Sequence, residues 1–135
     1  MRSVTIHSDG GARGNPGPAA IGIVLEDRDS GTRIEHGEVI GVTTNNQAEY
    51  RALLWGLKKA AALGAKDVQC FLDSELVVKQ MRREYRVRDA AIGEVFTKVW
   101  NVATEFRSIS FHHIPRSKNK AADALVNSAL DANQL

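Results

Sequence analysis

Four carboxylates, Asp9, Glu49, Asp73 and Asp123, stand where an apolar run meets a turn or on the apolar side of an expected helix. An ionised carboxylate removed from water needs a cation, a metal or several hydrogen-bond donors, so acids gathered at the edge of a core point to a bound ion. The chain has four histidines and one cysteine, and they form no cluster that competes for a metal. The donor set is therefore all oxygen, which favours hard ions such as Mg²⁺ or Mn²⁺ over zinc. Two such ions a few Å apart clamp the attacking and leaving oxygens of a phosphodiester, and one lowers the pKa of its bound water. The chemistry indicated is phosphoryl hydrolysis. Each acid also has a plainer role open to it. Asp9 before Gly10 and Asp73 could begin turns, Glu49 could partner an Asn46 cap, and Asp123 could be an exposed helix position.

The elements that must position these acids follow from the hydrophobic pattern. Residues 3–8 read as a strand with Val4 and Ile6 on one face, followed by the turn-rich DGGARGNPGP of residues 9–18. Residues 19–27 and 33–43 form two more strands around the turn signal DRDSGT. Short connections make the three strands antiparallel neighbours. Asn46 to Leu63 is helical, with Glu49, Leu53, Gly56, Ala60 and Leu63 on one face and Gly64 as the stop. Glu49 then lies in the first turn, on the inner face.

DVQCFL at 67–72 is a fourth strand ending at Asp73, and Ser74 caps a short helix to about Met81. Asp89 to about Glu105 is a second long helix and RSISFHHI at 107–114 a fifth strand. Ser117 is expected to cap a last helix running to near Ala132. The order βββαβαβα gives an α/β domain with one five-stranded mixed sheet and helices on both faces. Ligands of such sheets collect beyond the carboxyl ends of strands, where Asp9 and Asp73 are expected, and parallel neighbours sit roughly 5 Å apart.

At 135 residues, the chain is expected to form one domain over 1–135. A hydrophobic share of 43% and a charged share of 25% are those of a globular protein. No apolar run is long enough to cross a bilayer, nothing reads as a secretory signal, and a lone Cys70 in an apolar run excludes an internal disulfide. Cytoplasmic residence and a monomer are expected. Net charge is only +2, but Arg82, Arg83, Arg86 and Arg88 cluster in MRREYRVR, and Arg116, Lys118 and Lys120 in IPRSKNKAAD. Either segment could hold phosphates or be a solvated loop.

Four segments, DGGARGNPGP, TTNNQAEY, LDSELV and SKNKAADALV, resemble in order and spacing the four signature segments of the type 1 ribonuclease H family, over essentially the whole chain. The resemblance implies a ribonuclease H-like fold and an endonuclease that cuts the RNA strand of an RNA–DNA hybrid with two divalent ions, leaving 5′-phosphate and 3′-hydroxyl ends. By motif, Asp9, Glu49, Asp73 and Asp123 match the metal-binding acids, Asp9 bridging both ions and Glu49 also facing the ribose. Gly10, Gly11, Ala12 and Asn15 match the loop that reads 2′-hydroxyls. Thr44, Asn45 and Asn46 match the segment that contacts the hybrid backbone, and Thr44 with Gln47 also forms a capping box. Asn119 and Arg116 complete the implied substrate contacts.

Two departures from the best-known bacterial pattern place the chain with a shorter-loop prokaryotic branch. No histidine stands in the loop before Asp123; His112 and His113 come too early, and Arg116 sits nearer the position. Arg116 could steady a phosphate but could not act as a base. A basic protrusion is also missing, and MRREYRVR occupies its place, so that Arg83, Arg86 and Arg88 become substrate contacts with salt-sensitive binding. Trp55 and Trp100 read as helix packing. Two alternatives share the fold: a nucleic-acid-binding module without turnover, and a nuclease with added activity on double-stranded RNA.

Overall fold

The computed structural model describes residues 1–133. Five strands, β1 (Ser3–Ala12), β2 (Gly17–Asp27), β3 (Arg33–Thr43), β4 (Asp67–Leu72) and β5 (Ser108–His113), form one sheet in the order β3-β2-β1-β4-β5. The hairpin pairs β1·β2 and β2·β3 are antiparallel, while β1·β4 and β4·β5 are parallel, as chain crossovers through helices require. The helices are α1 (Asn45–Ala62), α2 (Glu75–Met81), α3 (Ala90–Ala103) and α4 (Lys120–Ala132). Among the described residues, no helix is long and apolar enough to cross a membrane.

Alternation along β1 and β4 sends Val4, Ile6, Val68, Cys70 and Leu72 into one buried layer beneath α1, with Leu53 and Leu57 packed on it. α3 packs on α1, and α2 touches β4 and β5. α4 covers the opposite face over β2, β3 and β1. It can lie there because Gly22 has no side chain. A Cβ at that position would come within 2.3 Å of the Ala122 carbonyl oxygen.

Several expected boundaries move. β1 does not stop at residue 8 but continues to Ala12, because β2 begins at Gly17 and pairs with it through Ala12↔Ala19. The glycine-rich stretch is thus strand as far as Ala12, and Asp9 is a strand residue rather than the start of a turn. α1 begins at Asn45 behind a Thr44 cap whose Oγ1 accepts from the Gln47 N–H at 3.2 Å. Asn46 is therefore not a cap, and Glu49 opens the second turn rather than the first. Ser117 caps nothing. A single 3₁₀ turn, Arg116–Lys118, precedes α4, whose N-cap Asn119 spends its side chain elsewhere.

Candidate active site

The site sits in a notch that the register creates. The last parallel pair of β1 and β4 is Ser8↔Leu72, after which β4 ends while β1 continues. Asp9 and Asp73 are each one residue past that pair. Alternation turns both side chains away from the α1 layer and toward the face that α4 covers, which is where Asp123 arrives in the first turn of α4. Glu49 comes from the other side. A Cβ on Gly10 would lie 2.2 Å from the Ala48 carbonyl carbon and 2.5 Å from the Glu49 nitrogen. The bare glycine lets α1 rest on β1 and brings Glu49 over the strand to the notch.

Carboxylate oxygens of Asp9, Glu49 and Asp73 all lie within 4.8 Å of one another, the one group of acids, histidines or cysteines close enough to share an ion among the described residues. Burial is the main cause of their raised pKa values. Asp9 is pushed up to about 7 by burial and by the neighbouring Asp73 charge. Glu49 is raised well above the usual carboxylate range by burial and by Asp9 and Asp73. Asp73 is also raised by burial, although the Arg116 charge and the Asn119 amide oppose the shift. Glu49 Oε2 is buried without a hydrogen-bond partner. An unpaired buried oxygen among mutually repelling carboxylates has the donor set and the unmet charge of a divalent cation site. The residues fit such an ion.

Asp123 stands slightly apart. Its Oδ1 is 3.3 Å from Arg116 Nη2, and its charge reaches both Asp9 and Asp73. All four acids nevertheless line one open cleft of about 540 Å³ with Gly10, Gly11, Ala12, Asn45, Asn46 and Arg116. A second groove of about 930 Å³ adjoins it, sharing Asn45 and Asn46 and bounded by Asn15, Thr44 and the exposed side of α3. The two cavities meet at a cross-link. Asn15 Oδ1 accepts from the Asn45 N–H at 3.0 Å, and Asn45 Oδ1 accepts from the Ala12 N–H at 2.8 Å. The turn after β1 and the start of α1 therefore form one rigid lip.

Two expected substrate contacts are placed differently. Asn119 is 1% exposed, and its Nδ2 donates to the Ser8 carbonyl at 2.9 Å, so it joins α4 to β1 beneath the site instead of meeting a ligand. Arg83 has a φ of 64° and lays its guanidinium over the rings of Phe96 and Trp100, at 5.8 and 5.4 Å. It is turned onto α3, away from the acid cleft. Arg86 and Arg88 are exposed on the connection between α2 and α3 and also lie outside that cleft. Neither His112 nor His113 lines it; His112 stacks on Phe71 at 4.9 Å. Trp100 stacks on Phe96 and Trp55 on His36, which is packing as expected.

Sequence reading missed Asn127, whose Nδ2 lies 3.4 Å from Asp123 Oδ2. The four-residue helical spacing was the available signal. It also missed the ion pair of Arg13 with Asp131, at 2.6 Å, which fastens the loop after β1 to the end of α4. A separation of 118 residues leaves no local signal for that pair.

A family described as reverse transcriptase-like matches residues 7–129. The chain is 44% identical to ribonuclease HI of Halobacterium salinarum over 95% of its own length and 64% of the relative's. It is 42% identical to the bifunctional protein Rv2228c of Mycobacterium tuberculosis over 96% of its length, but spans only 36% of that relative. The solved structure of LC11-RNase H1 in complex with an RNA/DNA hybrid, a protein isolated from compost by a metagenomic approach, is 43% identical. It superposes with a TM-score of 0.91, covering 98% of this chain and 100% of that one. With this fold and these matches, the chain belongs to the type 1 ribonuclease H family.

Proposed function

We propose that this protein is an endoribonuclease that hydrolyses the RNA strand of RNA–DNA hybrids with two divalent ions, Mg²⁺ or Mn²⁺, leaving 5′-phosphate and 3′-hydroxyl ends. The observation that carries the proposal is the convergence of Asp9, Glu49 and Asp73 within 4.8 Å at the floor of an open cleft. An open cleft admits a polymer, and acids of this kind suit phosphate chemistry. The hybrid in the LC11-RNase H1 complex supports the choice of substrate.

In this reading Asp9, Glu49, Asp73 and Asp123 would hold the two ions, with Asp9 common to both and Asp73 and Asp123 supporting one each. When bound, such ions would supply a water of lowered pKa and positive charge against the phosphate. The chain's own residues orient the duplex. The strand segment Gly10–Ala12, with Glu49, faces the ribose and reads its 2′-hydroxyl, the atom that separates RNA from DNA. The adjoining groove bordered by Thr44, Asn45 and Asn46 shares a lip with the acid cleft and would take a further stretch of the hybrid backbone. Arg116, 78% exposed at its side chain, faces the cleft as a phosphate contact, and its permanent charge keeps it from acting as a base. Residues 1–135 are taken to act as one domain and as a cytoplasmic monomer; the one main core among the described residues supports the single domain, and the buried free Cys70 fits a reducing compartment.

The test compares labelled hybrid, double-stranded RNA and double-stranded DNA, each with Mg²⁺ or Mn²⁺, using wild type and Asp73→Asn. Cleavage confined to the RNA strand of the hybrid and abolished in the variant is the expected result. Retained hybrid cleavage by Asp73→Asn would overturn the assignment, and cleavage of double-stranded RNA would widen the substrate class.

A further inference from the structure

Two buried polar side chains do nothing for the acid cleft, yet lead from it. Tyr50, next to Glu49 in α1, is fully buried, and its hydroxyl donates to Gln80 Oε1 at 2.6 Å. Gln80 is 7% exposed, and its Nε2 donates to the carbonyl oxygen of Arg86 at 3.2 Å. Burying a phenol and a primary amide is costly unless both are bonded, and Phe and Leu would fill the same space without that cost. What the polar pair supplies is a fixed point on a segment that has few others. The connection from Arg82 to Asp89 contains no helix or strand. Its backbone N–H groups from Arg82 to Tyr85 bond back to α2, and Asp89 caps α3 through the Ile92 N–H. Between them, among the described residues, the Gln80 amide is the only hydrogen bond to residues 86–88.

The charges on this segment are unequal. Arg82 pairs with Glu84 at 3.0 Å, and Arg83 lies over the α3 rings. Arg86 and Arg88 are exposed and make no ion pair or side-chain hydrogen bond among the described residues. Val87 between them is packed against the core. Two residues apart in sequence, the two arginines have backbones at most about 7 Å from each other, comparable with neighbouring phosphates on one strand.

We infer that Tyr50 and Gln80 are positioning residues that hold Arg86 and Arg88 as a preset pair of phosphate contacts for the hybrid. The inference rests on the hybrid nuclease reading given above. Holding the Arg86 carbonyl fixes the backbone from which both cations project, so less order is lost on binding.

The test measures hybrid affinity by fluorescence anisotropy and steady-state cleavage across a salt series, for wild type, Gln80→Leu, Tyr50→Phe and Arg86→Ala/Arg88→Ala. Gln80→Leu and Tyr50→Phe should each raise Kd and KM about 3- to 10-fold, with kcat within about twofold. The slope of log Kd against log salt should fall by about one to two, since each phosphate contact contributes close to one. Gln80→Leu added to the double arginine variant should change nothing more. Circular dichroism identifies any variant that fails to fold, and Tyr50→Phe, which keeps the ring, then carries the comparison. Wild-type affinity and salt slope in folded Gln80→Leu and Tyr50→Phe would overturn the inference alone, as would a fall in kcat at unchanged KM, which would place the effect at Glu49. No hybrid binding by the wild type would overturn the function and this inference together.

Discussion

Asn119 Nδ2 donates to the carbonyl oxygen of Ser8 at 2.9 Å, tying the start of α4 to the residue before Asp9. The bond is wholly buried, and it sets the height of α4, hence of Asp123, against β1. Asn119→Ala removes a buried hydrogen bond to the Ser8 carbonyl, which should cost about 1–3 kcal/mol in urea denaturation. It should also reduce cleavage when folded protein is assayed, because Asp123 loses its reference point.

The acids should make the metal-free protein sensitive to pH in the opposite sense from ordinary surface carboxylates. Asp9 binds its proton more tightly folded, with a pKa near 7, than unfolded, with a value of 3.8. Its contribution to stability is therefore complete below about pH 4 and lost as pH rises through about 7, and Glu49 acts in the same direction. Asp27 and Asp67, held below their usual pKa by hydrogen bonds from the Asp29 N–H and from Arg107 respectively, act in acid instead. Thermal melts in chelator should show stability falling by a few kcal/mol at most from pH 4 to pH 8, and Asp9→Asn should flatten that fall while reducing cleavage more than about 100-fold. Adding Mg²⁺ should raise the melting temperature more at pH 8 than at pH 5.

Adjacent glycines should respond differently to the same substitution. A Cβ on Gly10 meets backbone atoms of Ala48 and Glu49 at 2.2–2.5 Å, and backbone cannot give way without moving α1. Gly10→Ala should destabilise the fold by about 2 kcal/mol or more and suppress cleavage by displacing Glu49. On Gly11 the nearest atom is Val126 Cγ1 at 3.7 Å, an ordinary contact. Gly11→Ala should fold as wild type, and chemical denaturation of the two variants side by side checks the contrast.

Thr44 and Ser74 cap their helices by accepting from Gln47 N and Val77 N, each at 3.2 Å. Thr44→Ala should cost about 1 kcal/mol. It should also weaken hybrid binding, because Thr44 borders the groove beside the acids, while Ser74→Ala, at the acid cleft itself, should act on cleavage as well as on binding. Anisotropy titrations with the two variants at equal salt separate the effects.

The five strands and four helices were legible because alternation and helical periodicity are local, and so was the capping of α1 by Thr44. Acid placement was legible at the level of elements: parallel β1 and β4 had to bring Asp9 near Asp73. Burial on both faces hid the start of β2. GPAAIGIVLED shows little alternation because α4 covers one face and α1 the other, so Gly17 and Pro18 read as turn. Asn119 entered as a substrate contact only through the family resemblance, and only the register of β1 under α4 shows the Ser8 carbonyl to which it is bonded. Arg83 likewise belonged to the basic segment by charge, and the rings that hold it lie on a helix that starts seven residues later.

β1 is the middle strand of the sheet, with two strands on either side. Fraying starts at sheet margins and helix ends, where backbone bonds are easiest to open, and reaches a central strand last. The part of β1 paired on both sides, up to Ser8, therefore opens only when the whole molecule does, and Asp9 follows it directly. The amide hydrogen of Ile6 should exchange no faster than global unfolding allows, so that the strand carrying Asp9 is lost to heat in the same event that unfolds the molecule.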